Sequence, residues 1–175
     1  MTRHRVWAFG ADIDTDQLAP GAYMKLGIEG IAPHCLEGVR AEFAREVQRG
    51  DVIAAGPNFG IGSSREQAAG ALVQLGVRAV IAPSFSGLFF RNAFNLGLLL
   101  LTCPEAAHLR EGEHITLDLQ ALTVTTAQGE TLHCEPIPGF LLDMVEAGGL
   151  LNQLRRRLAK QTARAQAAAM AGSSG

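Results

Sequence analysis

The chain has 175 residues, of which 47% are hydrophobic and 18% charged, so it describes a folded domain with a real core and not a disordered one. A formal net charge of −2, with one Trp and one Tyr, leaves neither a basic field nor an aromatic platform for nucleic acid. The most apolar run, Gly97 to Leu101, is too short to cross a bilayer, and Met1 to Phe9 has no signal-like apolar stretch; a cytoplasmic protein is expected.

In chain order, Val6 to Phe9 reads as a short buried strand, followed by a polar loop with Gly10, Asp12, Asp14 and Asp16. The glycines and proline of Gly21 to Pro33 predict a mobile loop around Tyr23, Met24, Lys25 and Leu26. Leu36, Val39, Phe43 and Val47 recur at helical spacing, predicting a helix over Leu36 to Gln48 with Gly50 as its stop. Asp51 to Ala55 is a second strand. After it comes Asn58-Phe59-Gly60-Ile61-Gly62-Ser63-Ser64-Arg65-Glu66, with Ser63 or Ser64 expected to cap a helix that buries Ala68, Leu72 and Leu75. Ala79 to Ala82 is a third strand, Ser84 to Asn95 a helix, and Leu98 to Cys103 a fourth strand. This alternation predicts parallel crossovers in an α/β sheet.

The C-terminal part alternates apolar and polar residues through Ile115, Leu117, Leu119, Leu122 and Val124. Gln128-Gly129 marks a hairpin turn. Phe140 to Leu158 predicts a helix weakened at Gly148-Gly149. Residues 1–160 are expected to form one domain and residues 161–175, rich in Ala, Gly and Ser, a flexible tail.

The chemistry lies in Asn58 to Glu66. Gly60 and Gly62 let the backbone approach a ligand closely, and a helix start adds unsatisfied N–H groups and a positive dipole end. Ser63, Ser64 and the fork of Arg65 complete a site for a small anion, phosphate or carboxylate. An arginine in a first helical turn opposes the dipole, so an anion is needed to offset it. The stretch is neither a Walker loop, since Lys-Ser/Thr is missing, nor a dinucleotide fingerprint.

Asn58-Phe59-Gly60-x-Gly62-Ser63-Ser64-Arg65-Glu66 resembles the signature of the aconitase-type swivel domain. That domain exists alone as the small subunit of isopropylmalate dehydratase and homoaconitase. Ile13-Asp14-Thr15-Asp16 is similar to the family's early motif. Ser84-Phe85 and Phe89-Phe90-Arg91-Asn92-Ala93-Phe94-Asn95-Leu96-Gly97 are similar to its second helix and following strand. The resemblance spans roughly residues 5 to 158 and implies a swivelling β/β/α domain, with a mainly parallel core sheet and a C-terminal β-hairpin and helix. It also implies a hydro-lyase subunit, inactive alone, that works on a malate-like hydroxy-dicarboxylic or tricarboxylic acid.

In that family a large partner subunit holds a 4Fe-4S cluster, whose iron grips the substrate hydroxyl and a carboxylate. The resemblance therefore implies Ser63 as the base for the carbon-bound proton and Ser64 and Arg65 as the carboxylate clamp. Removing a proton beside a carboxylate requires that the developing charge be stabilised, and a departing hydroxide needs a Lewis acid. No ligand spacing in the sequence supplies that acid, which points to the partner.

Cys35, Cys103 and Cys134 read as small core residues rather than cluster ligands. Asp12, Asp14 and Asp16 begin like a calcium loop, but Gln17 and Tyr23 stand where ligands belong; they read as turn formers, with Asp16 a candidate partner of a cation. No histidine has a second ligand two or four residues on. Arg91 and Asn92 read as hydrogen-bonding groups on a helix face. The family senses the substrate's variable arm from the loop that holds Lys25. A cation there suits a carboxylate, while Met24 and Leu26 suit an alkyl group. The first expectation is an isopropylmalate-type isomerisation. A homoaconitase, a methylmalate or dimethylmalate dehydratase, and a non-catalytic anion-binding module are the alternatives.

Overall fold

The computed structural model describes residues 1–173. Four strands, β1 (Arg3–Ala8), β2 (Val52–Ala54), β3 (Ala79–Ala82) and β4 (Leu99–Thr102), lie parallel. Three more, β5 (His114–Asp118), β6 (Thr123–Thr125) and β7 (Thr131–His133), continue the sheet in antiparallel fashion, giving the order β4-β3-β2-β1-β5-β6-β7. Every residue of β2 and β3 is buried, as parallel strands covered on both faces require. The sheet therefore has a parallel half built by crossovers and an antiparallel half built by hairpins, and β1 is the strand where they meet.

The helices differ from their sequence readings in instructive ways. Residues 21–34 form no open loop but a chain of short helices: a 3-10 helix at Gly21–Leu26, α2 at Gly27–Ile31 and a 3-10 helix at Ala32–His34. Ile31 is fully buried and Ile28 packs against Gly70, so tertiary contacts outweigh the glycine and proline content. Before them, Asp14 caps the short helix α1 (Thr15–Leu18). Asp14 Oδ1 accepts from the Gln17 amide at 2.7 Å, and the Gln17 side chain accepts in return from the Asp14 amide at 2.9 Å.

The helix expected over Leu36 to Gln48 shrinks to α3 (Phe43–Glu46). Leu36 takes a left-handed backbone (φ 59°), and Val39, expected on the buried face, is exposed. Arg40 explains the departure. Its guanidinium bonds Ala8, Glu42 and Glu111 and lies over Trp7 and Phe9, which holds the segment in successive turns.

The crossover helices α4 (Gln67–Gln74) and α5 (Gly87–Asn95) bury Ala68 and Leu72, and Phe89 and Phe94, against the sheet. Beyond the hairpins the chain forms α6 (Gly139–Ala147) and α7 (Leu150–Gly172), separated at Gly148-Gly149, where both residues have positive φ. Helix α7 thus runs past Leu158, where the sequence reading ended it. From residue 154 to Gly172 all its residues are exposed.

A polar knot fastens β1 to β2. Asp51 Oδ2 accepts from Arg5 Nε and Nη2, from Trp7 Nε1 and from the Gln48 amide, at 2.7 to 3.1 Å. A buried carboxylate is tolerated because these donors satisfy it.

Candidate functional site

Three loops leave the carboxyl ends of β1, β2 and β3 and meet there, where open α/β sheets place their ligand sites. Two isolated bridges tie them together, Asp14 with Ile61 and Phe59 with Phe85. The Gly60 amide donates to the Ile13 carbonyl at 2.7 Å, and the Thr15 amide to the Ile61 carbonyl at 2.8 Å. Asn58 adds side-chain ties. Its Nδ2 donates to Asp12 at 3.0 Å, and its amide donates to Ser84 Oγ at 2.8 Å.

The two glycines are required by what surrounds them. Gly60 (φ 82°) sits so close to Phe89 that an added Cβ would lie 2.2 Å from the ring. At Gly62 (φ 117°) the same atom would lie 2.7 Å from Thr15 Oγ1. The glycines therefore bring the loop hard against α5 on one side and α1 on the other.

The serines do not cap α4, as the sequence reading had them. That helix starts at Gln67, Glu66 occupies its cap position, and no side chain caps it. Ser63 turns to α1 instead. Its amide donates to Thr15 Oγ1 at 3.1 Å, and the two hydroxyl oxygens lie 3.3 Å apart. Asn92 Nδ2 donates to the Ser64 carbonyl at 3.0 Å, so α5 steadies the next residue through its backbone. Both serine side chains remain exposed, free of the capping duty that would have consumed them.

Arg65 lies half-buried along the same short helix. Its Nη1 donates to Asp16 Oδ1 at 3.1 Å and to the Ala19 carbonyl at 2.8 Å. The cation that Asp16 meets is thus this guanidinium. The Arg65 hydrogen bond, aided by the Gly21 amide, holds the Asp16 carboxyl below its usual range. Ser63 on Thr15 and Arg65 on Asp16 stand side by side, and the arrangement can present a hydroxyl and a guanidinium to one small anion. A cleft of about 370 Å³, lined by Gly27, Ile28, Glu66, Gln67, Gly70 and Leu96, opens between α2 and the start of α4.

Lys25 lies in the 3-10 helix Gly21–Leu26 with its side chain exposed. Two contacts tie this segment down. The Gly21 amide donates to Asp16 at 3.0 Å, and the Tyr23 ring stacks on His34 with centroids 3.5 Å apart.

Sequence reasoning did not single out Thr15, Ala19 or Asn92 for these roles. Each acts across 28 to 48 residues, which no local spacing reveals. Thr15 had a signal in its place within Ile13-Asp14-Thr15-Asp16, and Asn92 in its reading as a hydrogen-bonding group on a helix face. Among the cysteines, Cys35 and Cys103 are fully buried and Cys134 partly so. Among the described residues, no helix is long and apolar enough to cross a membrane.

Comparison with known proteins gives a consistent result. Residues 38–106 match the family model of the aconitase C-terminal domain. Over 159 residues the chain is 41% identical to the 3-isopropylmalate dehydratase small subunit 1 of Thermotoga maritima, covering 89% of this chain and 96% of that one. It is 45% identical to the corresponding subunit of Methanopyrus kandleri, covering 89% and 94%. It is also 42% identical, over 154 residues, to the methanogen homoaconitase small subunit of Methanothermobacter thermautotrophicus, covering 87% and 89%. The crystal structure of 3-isopropylmalate dehydratase from Methanocaldococcus jannaschii superposes with a TM-score of 0.87 at 38% identity, covering 93% of this chain and 98% of that one.

Proposed function

The chain belongs to the family of 3-isopropylmalate dehydratase small subunits, and on that footing we propose that it is the proton-abstracting and carboxylate-binding half of a hydro-lyase acting on isopropylmalate-type acids. One observation carries the reading: Ser63 and Arg65, on one glycine-built loop, are anchored on the consecutive α1 residues Thr15 and Asp16.

In this reading Arg65 and Ser64 hold the substrate carboxylate. Ser63 takes the proton from the adjacent carbon, and the charge that develops on the carboxylate is met by the guanidinium. A serine can do this only as an alkoxide, which needs positive, water-poor surroundings. Arg65 and the uncapped first turn of α4 supply the positive potential, and a partner subunit closing over the exposed serines would exclude water.

The cysteines of this chain do not suit a 4Fe-4S cluster. Cys35 and Cys103 are fully buried, and burial pushes the Cys35 thiol well up. The reading therefore assigns the cluster to a large partner subunit, where it supplies the Lewis acid for loss of hydroxide. In this reading the working domain is residues 1–160.

The test is reconstitution. The chain alone should be inactive, and it should become active when mixed anaerobically with a cluster-loaded large subunit and isopropylmalate. Ser63→Ala with undiminished activity would defeat the assignment of the base. Tight phosphate binding by the chain alone, without activity in the mixture, would favour an anion-binding module instead.

A further inference from the structure

Two cysteines that this chemistry leaves idle face each other where β4 meets the C-terminal hairpins. Cys103 follows β4 directly and Cys134 follows β7. The Glu135 amide donates to the Thr102 carbonyl at 2.8 Å, a contact that joins the two segments one residue from each cysteine. Both backbones are fixed, the Cys103 amide on Ala82 and the Cys134 amide on Leu122, each at 2.9 Å. Cys103 is fully buried, whereas Cys134 is partly open to solvent.

We propose that Cys103 and Cys134 form a redox-active dithiol that exchanges with a small-molecule disulfide and closes to a Cys103–Cys134 bond, clasping the hairpin segment to β4. This is a modification site separate from the loop of Ser63 and Arg65. The surroundings divide the labour between the sulfurs. Its neighbour Cys134 and the Glu105 amide pull the Cys103 thiol below the ordinary range, while that of Cys134 is pushed up. Only Cys134 is reachable from outside.

The exchange balances without any other reagent. Cys134 gives up its proton to solvent and, as the thiolate, attacks one sulfur of the small disulfide, breaking its S–S bond and expelling a thiolate that takes up a proton from solvent. The Cys103 thiolate then attacks the Cys134 sulfur of the mixed disulfide and expels the second thiolate. The two protein sulfurs are oxidised, and the small disulfide is reduced to one thiol and one thiolate. Cys35 takes no part, since burial keeps it protonated.

The full chain is equilibrated in graded mixtures of bis(hydroxyethyl) disulfide and mercaptoethanol. This uncharged probe suits a rim that carries Glu105, Glu130 and Glu135. Free thiols are then alkylated, and intact mass and peptide maps are recorded. The expected result is a reversible loss of two hydrogens per chain and a peptide linking Cys103 to Cys134, with Cys35 alkylated only after unfolding. Cys103→Ser should stop at a mixed disulfide on Cys134, and Cys134→Ser should leave Cys103 unmodified. A wild-type chain that yields only mixed disulfide, links to Cys35, or stays reduced at every ratio overturns the proposal. The wild-type map decides even if a variant fails to fold.

Discussion

Arg65 meets Asp16 through a single nitrogen: Nη1 lies 3.1 Å from the Asp16 carboxylate and 2.8 Å from the Ala19 carbonyl oxygen. These internal bonds leave the edge formed by Nε and Nη2 for a second, bidentate carboxylate. Arg65→Lys keeps the charge and loses that edge. A lost charge-assisted hydrogen bond is worth about 1.5–3 kcal/mol, so kcat/KM of the reconstituted enzyme should fall roughly 10- to 150-fold. Wild-type kinetics in this variant would remove the clamp from the mechanism.

Asp16→Asn tests the anchor instead of the clamp. The pair is largely exposed on the Asp16 side and worth only about 0.2–1 kcal/mol. KM should rise about two- to fivefold, with kcat nearly unchanged. Because the Asp16 carboxyl is held below its usual range, the anchor is fully charged above the ordinary carboxylate pKa. It is lost only as pH falls through the depressed value. The ratio of mutant to wild-type KM should therefore stay flat from about pH 8 to about pH 5. A ratio that collapses toward one within that window would mean Asp16 acts by another route.

Thr15 should behave as a positioning residue. Ser63→Ala removes the base and is expected to lower kcat by about 100- to 10,000-fold. Thr15→Val keeps the shape but removes the oxygen that receives the Ser63 amide and faces its hydroxyl. A roughly 10- to 100-fold fall in kcat with little change in KM is expected, and Thr15→Ser should restore most of it. Equal losses in Thr15→Val and Thr15→Ser would point to damaged packing, since Thr15 is buried.

How far this arrangement is legible in the sequence depends on how local its causes are. The parallel strands are written as continuous apolar runs, and Gly60 and Gly62 announce a close approach. Both features are set within a few residues. The helical turns of residues 21–34 and the shortened α3 are not written that way. Ile28 and Ile31 find buried places on partners distant in sequence, and Arg40 pins its turns to Trp7, Phe9 and Glu111. Capping chemistry misled for a related reason. Ser63 has the right type to cap a helix, yet α4 starts only at Gln67, and Thr15, 48 residues earlier, holds the Ser63 amide. The residues at the site were readable as types, and their partners were not.

Gly62→Ala links backbone and chemistry. At φ 117° a side chain is strained, and the new Cβ would sit 2.7 Å from Thr15 Oγ1. A strain of about 1–2 kcal/mol should lower the melting temperature by roughly 2–8 °C. Activity should fall at least as far as in Thr15→Val, because the same hydroxyl is displaced. Gly38→Ala, where a Cβ meets nothing within 4 Å, is the control. Similar losses in both variants would separate the glycine from the Thr15–Ser63 contact.

A role of Lys25 in substrate choice is the last part of the proposed function to test. Its 3-10 helix begins at Gly21, whose amide is held by the carboxylate that also anchors Arg65, so Asp16 couples the clamp to this segment. Tyr23, stacked on His34, fixes the turn while the Lys25 side chain stays exposed. A cation in that position attracts a carboxylate on the substrate's variable arm, and Met24 and Leu26 offer apolar contact to an alkyl group. Lys25→Val removes the first and extends the second. A solvent-exposed charge contact of about 1 kcal/mol corresponds to a shift of roughly fivefold in relative kcat/KM. That shift should run toward alkyl-substituted malates and away from homoaconitate when the reconstituted pair is assayed on both with methylated malates. The wild-type chain should already accept isopropylmalate, since its alkyl arm has Met24 and Leu26 to meet. Unchanged ratios across the panel would leave Lys25 as solvated surface and move the choice of substrate to the partner subunit.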